Sequence, residues 1–284
     1  MTREQHLIFC KKCNHQKMDL KQGLLCGLTG KLADFEGKCP SFDMVEDLVE
    51  EQFVINDSIR PNKKRADLAQ KIIWLVLILE IVSIVSSVMQ YNLLLAIEEG
   101  MFVTDEAINS NDIREQIISL VYSAVYIISS ITFIMWFRRA YFNLALRSHT
   151  TLSEGWAAGA WFVPIISWFR PYQIMKEIWT KSSELIQRIE PAYKDNRNIT
   201  ILNIWWTLWI IVSVLGQYVF RTSWKGETIL DYKNSTIADI VSSTIGIPLA
   251  ITAIMIIGTY SVKEEKLLEL EKQVLDSKTD GITD

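Results

Sequence analysis

The sequence predicts an all-α polytopic membrane protein: four transmembrane helices plus one re-entrant or interfacial element, behind a small N-terminal head. Three observations predict it. Four apolar segments are each long enough to span a bilayer, lysine and arginine are placed asymmetrically about them, and all four cysteines fall between Cys10 and Cys39. Hydrophobic residues make up 49% of the 284 and charged residues still reach 22%, the mixture expected of apolar spans joined by polar segments. A net charge of −4 provides no global basic field, so nucleic acid is not expected as a partner.

A hydrocarbon core of ~30 Å takes roughly 20 helical residues. Stretches of that length run from about 72 to 97, 117 to 137, 201 to 220 and 237 to 260. Each is apolar around its whole circumference, unlike a surface helix of a soluble protein. Trp74, Tyr91, Trp136, Tyr141 and Tyr218 lie near their ends, where an aromatic belt belongs. The expected organisation is a head at 1–43, a linker at 44–70, a membrane domain at 71–262 and a tail at 263–284. The linker opens acidic (Glu46, Asp47, Glu50, Glu51) and passes Pro61 before its basic cluster. In the tail, Leu267, Leu270 and Val274 have heptad-like spacing, but the segment is too short for an independent coiled coil.

Charge placement orients the chain. Lys63, Lys64 and Arg65 precede the first span and Arg138 and Arg139 follow the second. The hairpin between those spans holds Glu98, Glu99, Asp105, Glu106, Asp112 and Glu115 against a lone Arg114. The positive-inside rule then puts both termini in the cytoplasm, with the acidic hairpin outside. The first ten residues have no apolar core, so no signal peptide is expected, and no lipidation motif is present.

Between the second and third spans, 156–169 (WAAGAWFVPIISWF) is apolar and aromatic, but it is 14 residues long and broken by Pro164. Its length favours a re-entrant or interfacial element over a crossing, which would move the C-terminal tail outside, and the basic residues on both flanks point the same way. The next segment, 172–189, is amphipathic. Ile174, Met175, Ile178, Trp179, Leu185, Ile186 and Ile189 share one helical face, and Lys176, Glu177, Lys181, Glu184 and Arg188 share the other. It suits a helix packed on the end of the bundle and lying at headgroup level.

The cysteines read Cys10-x2-Cys13, twelve residues, Cys26, twelve residues, Cys39. A C-x2-C pair lets two thiolates converge from one turn, and two later cysteines can complete a tetrahedral set, so the pattern points to structural Zn2+. Lys11, Lys12, Lys17, Lys21, Lys31 and Lys38 would offset the charge of four thiolates. A segment this small has little core, and a metal would supply the missing stability. A redox dithiol at Cys10 and Cys13, disulfides or an iron–sulfur cluster fit the same spacing. A cytoplasmic side disfavours disulfides. A catalytic zinc needs an open position, which four cysteines do not leave. His15 is expected in a solvated turn.

Glu80 falls mid-span in the first helix, where an ionisable group is costly and needs a partner. Ser83, Ser87 and Gln90 continue its face. In the second span Ser119, Ser123, Tyr126 and Ser130 form another stripe, expected to meet the first. Glu80 reads either as a neutral, hydrogen-bonded packing residue or as the titrating group of a proton or solute path, with no second intramembrane acid or base seen for a relay.

Two stretches carry family resemblances. Cys10-Lys-Lys-Cys13, Gly23-Leu-Leu-Cys26-Gly-Leu-Thr-Gly30 and Cys39-Pro-Ser-Phe42 resemble a small four-cysteine, zinc-ribbon-like module found before membrane spans in bacterial proteins. Trp161-Phe-Val-Pro164, Trp168-Phe-Arg170-Pro171-Tyr172-Gln173 and Glu177-Ile-Trp179 resemble the bacterial membrane family of domain of unknown function 4328. The resemblance implies a bacterial inner membrane and marks Trp161, Pro164, Arg170, Pro171, Tyr172, Glu177 and Trp179 as the family's own element. It brings no catalytic residue.

Three function classes follow. The first is a membrane-anchored interaction or regulatory protein whose head docks a cytoplasmic partner. The second is a small transporter or channel built on Glu80. The third, a membrane enzyme, lacks a nucleophile motif, and His6, His15 and His149 are not in ligand spacing, so no enzyme is expected. The lipid bilayer is the one partner the composition itself requires, and nothing in the sequence fixes an oligomeric state.

Overall fold

The computed structural model describes residues 3–10, 13–19, 23–37, 39–43, 59–194, 199–225 and 228–280. It divides into two units, Met1–Ile55 and Asn56–Asp284. The acidic half of the predicted linker and Lys11, Lys12, Lys21 and Lys38 lie outside the described residues.

In the small unit a helix, α1 (Arg3–Cys10), precedes an antiparallel pair, β1 (Gln16–Asp19) and β2 (Gly23–Cys26), with Gln16 opposite Cys26. Its core is aromatic. Phe9 packs edge-on against Phe35 and Phe42, and buried His6 holds the Phe35 carbonyl through Nε2 at 2.7 Å. After β2 the chain reverses in a turn closed by Gly30 N–H to the Cys26 carbonyl at 2.7 Å, with Gly30 at φ +68°, a conformation that favours glycine. His15 does sit in a turn, half-buried, with Nε2 3.8 Å from Asp43.

The large unit holds four helices long and apolar enough to cross a membrane. They are α2 (Lys63–Glu98), α3 (Asp105–Ala145), α6 (Thr200–Lys225) and α7 (Ile229–Asp280), each containing one predicted span. Their outward side chains are aliphatic, for example Ile78, Val85, Leu120, Ile127 and Ile131, as lipid-facing surfaces require. The helices run well past the spans. At 1.5 Å per residue the 52-residue α7 is about 78 Å long, more than twice the hydrocarbon thickness. Most of the predicted tail is therefore the end of this helix and not a separate segment. The acidic hairpin is also mostly helical. Only 99–104 turn the chain, and Thr104 caps α3 by accepting the Ala107 N–H at 3.2 Å, with Asp105 and Glu106 in the first turn.

α2 packs on α3 and α7, and α7 packs on α6. Between α3 and α6 the chain forms a short helix, α4 (Trp156–Gly159), a 3-10 turn (Ile166–Trp168) and the amphipathic helix α5 (Arg170–Ile189). Within 156–169 the longest helix is the four residues of α4. Trp161 packs on Phe133 of α3, and Trp206 of α6 donates its Nε1–H to the Trp168 carbonyl at 3.1 Å. The element is thus held at the depth of the last turns of the second span. Phe162 and Ile165 are 75% and 77% exposed at its tip, where Ile165 has φ +68°, rare for a β-branched residue. α5 buries the predicted apolar face, Ile174, Met175, Ile178, Trp179, Leu185 and Ile186, against α3 and α7.

Candidate functional site

Two polar clusters are buried in the large unit. The first lies inside the bundle. Glu80 of α2 is 5% exposed, accepts the Tyr122 hydroxyl of α3 at 2.7 Å, and is hydrogen-bonded by Ser243 of α7. Two turns toward the α2–α3 hairpin, Ser87 donates to Asp239 Oδ2 at 2.8 Å, and Gln90 donates to Thr236 at 3.2 Å. Ser83 is half-buried on the same face. Beside them Ser86 meets Glu115 and Arg114, with Arg114 Nε 2.9 Å from Ser86 Oγ and Nη2 also reaching Asn111. At the hairpin end Lys233 pairs with Glu98. Polar groups therefore line one face of α2 from Glu98 down to Glu80.

There the line stops. From Glu80 to Gln70 is ten residues, about 15 Å of helix. In that interval α2 buries Ile73, Val76 and Leu77, and α7 supplies Ala250, Ala253, Ile256 and Ile257. The buried Ser129 and Thr132 of α3 are turned inward on their own helix, where the Thr132 hydroxyl donates to the Ser129 carbonyl at 3.0 Å. Below lies a plug of rings: Phe133, Trp136, Phe137, Trp161, Trp205, Trp206 and Trp209. A carboxylate in such surroundings needs its donors, since burying it unpaired is expensive. α7 makes room for it at Gly246, where an added Cβ would overlap the Glu80 carboxyl.

The partner of the Glu80 face differs from the expected one. Ser119 and Ser123 are exposed, and Ser130 bonds back to the Tyr126 carbonyl of its own helix at 2.9 Å. Tyr122, outside that stripe, reaches Glu80 instead, and most of the polar partners come from α7. A second acid of the predicted spans is also present: half-buried Asp239 accepts from buried Ser87. Asp239, Ser243 and Gly246 recur at i, i+4 and i+7, so the helical period of the fourth span carries the signal that locates this face.

The second cluster sits at the opposite end of the bundle, where Arg60, Arg138 and Arg139 lie. Glu177 of α5 accepts the Thr151 N–H (2.9 Å), the Thr151 hydroxyl (2.7 Å) and the Tyr141 hydroxyl (2.9 Å), and pairs with Lys181 (2.8 Å). Burial alone would raise its carboxyl, but the Lys181, Thr151 and Tyr141 hydrogen bonds outweigh burial and hold it below the ordinary carboxylate value. Trp179 lies under the Lys263 ammonium, 4.2 Å from the ring centre, and that ammonium donates to Ser183 at 3.0 Å. Asn143 spans three elements, bonding Glu264 of α7 at 2.7 Å and the Arg60 carbonyl at 2.9 Å. Arg147 and Glu271 form a two-pronged buried pair at 2.8 and 2.9 Å.

The remaining motif residues serve this assembly. Pro171 is buried in the first turn of α5, Tyr172 donates to Asn203 of α6, and Arg170 lies over Phe169 and bonds Gln173. Pro164 is exposed at the tip beside Ile165. The element thus ties α5 to α3, α6 and α7. None of these residues forms a nucleophile–base pair.

Among the described residues no group of three or more His, Cys, Asp or Glu side chains is placed to hold a metal ion. All four thiols are free. Cys10 ends α1, and Cys26 ends β2 and opens the turn closed by Gly30. Cys10 is nonetheless within electrostatic reach of Cys13, Cys26 and Cys39.

No curated protein and no solved structure gives a significant match to the chain. A family model, Domain of unknown function (DUF4328), matches residues 99–261, which takes in α3 to α6, most of α7, Asp239 and the whole Trp161–Trp179 element, while Glu80 on α2 precedes the matched stretch. The chain, with its four apolar helices and proline-broken element, belongs to the DUF4328 family.

Proposed function

We propose that this protein is a membrane-anchored interaction or regulatory protein of the inner membrane, with both termini cytoplasmic, and that it is not an enzyme. The observation that carries the reading is the dead end at Glu80. A conduit needs polar groups on both sides of its central site. Here the polar line reaches Glu80 from the acidic hairpin, and about 15 Å of mainly aliphatic and aromatic packing follows, in which Thr132 bonds the Ser129 carbonyl of its own helix and does not extend the line. The positive-inside rule supports the orientation, because Arg60, Arg65, Arg138 and Arg139 gather at the other end.

On this reading the basic end is the working face. A groove there between the end of α5 and α7, lined by Ile189, Glu190, Lys266 and Leu270, offers a surface to a cytoplasmic protein. The head would hold one structural zinc through Cys10, Cys13, Cys26 and Cys39. The donor chemistry suits it: four free thiols in one small unit, each within the field of Cys10. The zinc would fix turns and supply folding energy, with no open position for a substrate.

The full chain purified without chelator should carry close to one zinc. Chelation should loosen the head while leaving the unfolding of the membrane unit unchanged. Less than about half a zinc per chain would remove the zinc from the reading. The runner-up, a transporter using Glu80, draws on the buried Glu80 carboxylate and the half-buried Asp239 bonded to Ser87. Ion flux that depends on Glu80 would replace the regulatory reading with it.

A further inference from the structure

We propose that Arg60, Arg65, Arg138 and Arg139 form a headgroup site for an anionic phospholipid, whose acyl chains run along the exposed seam between α2 and α3. Three observations bring the four arginines to one place, with the Arg60 guanidinium over the Phe142 ring of α3. Asn143, one turn beyond Arg139, clasps Arg60 by both its backbone N–H and its carbonyl. Arg65 Nη1 donates to the Met135 carbonyl at 3.0 Å, which places it three residues from Arg138. Arg60, Arg65 and Arg138 all act electrostatically on Arg139.

Four like charges held this close repel one another, and the carboxylates at this end are engaged elsewhere. Glu264, the acid that acts on Arg139, is buried on Asn143. Glu265 pairs with Lys63 and Glu271 with Arg147. Among the described residues none of the four arginines forms an ion pair with a carboxylate, and Glu264 offsets only part of the repulsion that the other arginines exert on Arg139. Guanidinium is the side chain best shaped for phosphate oxygens, and basic clusters between membrane helices at this boundary are where anionic headgroups bind.

The surroundings choose a lipid over a free anion. On the hydrocarbon side of Arg138, at i−3, i−7 and i−10, lie Met135, Ile131 and Ile128, all exposed. Below Arg65, at i+3 and i+10, lie Leu68 and Leu75, also exposed. A phosphate bound by the arginines would have this apolar seam directly beneath it, where acyl chains fit. The inference rests on the membrane spans alone and is independent of the regulatory reading.

The test uses the full chain in phosphatidylcholine nanodiscs, with binding of a short-chain phosphatidylglycerol measured against short-chain phosphatidylcholine and inorganic phosphate. Phosphatidylglycerol should bind saturably and phosphatidylcholine should not. The triple variant Arg65→Gln, Arg138→Gln, Arg139→Gln should bind roughly a hundredfold more weakly, about fivefold for each guanidinium removed. A charge-matched control, Lys176→Gln, Lys194→Gln, Lys272→Gln, should bind as wild type. The corresponding arginine-to-lysine triple, which keeps the charge and reports on folding, should recover most of the binding. Equal binding of phosphatidylcholine, wild-type affinity in the glutamine triple, or a lysine triple no better than it would each overturn the proposal. Full competition by millimolar phosphate would also overturn it, since the site would then be one for small anions.

Discussion

Replacing Arg147 by alanine is expected to destabilise the membrane unit by about 3–5 kcal/mol, the cost of leaving a buried charge without its partner. Arg147 follows the end of α3, and Glu271 lies near the far end of α7, 124 residues away in sequence. Their side chains are 5% and 6% exposed and meet through two parallel bonds. Surface pairs contribute little because water screens them; here there is almost no water to do so. The complementary double change, Arg147→Met with Glu271→Leu, removes both charges and should recover most of the loss, because an apolar pair of similar volume carries no desolvation cost. Unfolding in detergent, followed by the fluorescence of the ten tryptophans, measures both. A loss under about 1 kcal/mol for Arg147→Ala would mean that α7 is not clamped to α3 at this point.

Glu177→Gln should cost about 2–3 kcal/mol at neutral pH, by weakening hydrogen bonds that a charged acceptor strengthens. Its pH dependence has a definite sign. The folded-state value lies below the ordinary 4.5, so the stability contributed by the carboxylate is fully present above about pH 4.5. It is lost as pH falls below that and passes through the folded value. The gap between wild type and Glu177→Gln should therefore be flat from pH 6 to 8 and should narrow toward pH 4. A gap that widened with acid would contradict the assignment of Lys181, Thr151 and Tyr141 as its stabilising donors.

The spans were legible because lipid imposes one requirement on every outward position, and hydropathy reports it directly. The broken character of 156–169 was legible from its length and Pro164, and the structure gives it a four-residue helix and a 3-10 turn. Helix ends were not. α3 starts at Asp105 and α7 continues to Asp280, because outside the hydrocarbon layer tertiary contacts such as Asn143 to Glu264 set helix length, and these join residues more than a hundred positions apart. Of the inner site, Glu80, Ser87 and Gln90 were found on α2, but their partners were all sought on α3, which supplies Tyr122, while Thr236, Asp239 and Ser243 come from α7. A serine stripe can satisfy itself on its own backbone, as Ser130 does, so periodicity alone does not say which helix it faces. Asp239 was passed over because it lies in the first turn of its span, where an acid is cheap. Its partial burial against Ser87 comes from α2. The cysteine spacing was plain in the sequence, but their positions relative to α1 and β2 were not.

The account turns on the claim that the polar line ends at Glu80, and proton and cation flux tests that claim most directly. The full chain and Glu80→Gln would be reconstituted in parallel into liposomes loaded with a pH-sensitive dye, and followed under an imposed pH gradient and membrane potential. The expected result is that both preparations leak at the rate of empty liposomes and at the same rate as each other. Wild-type flux well above that leak, abolished by Glu80→Gln, would contradict it, and would show a continuous path through the apolar layer between Glu80 and Gln70.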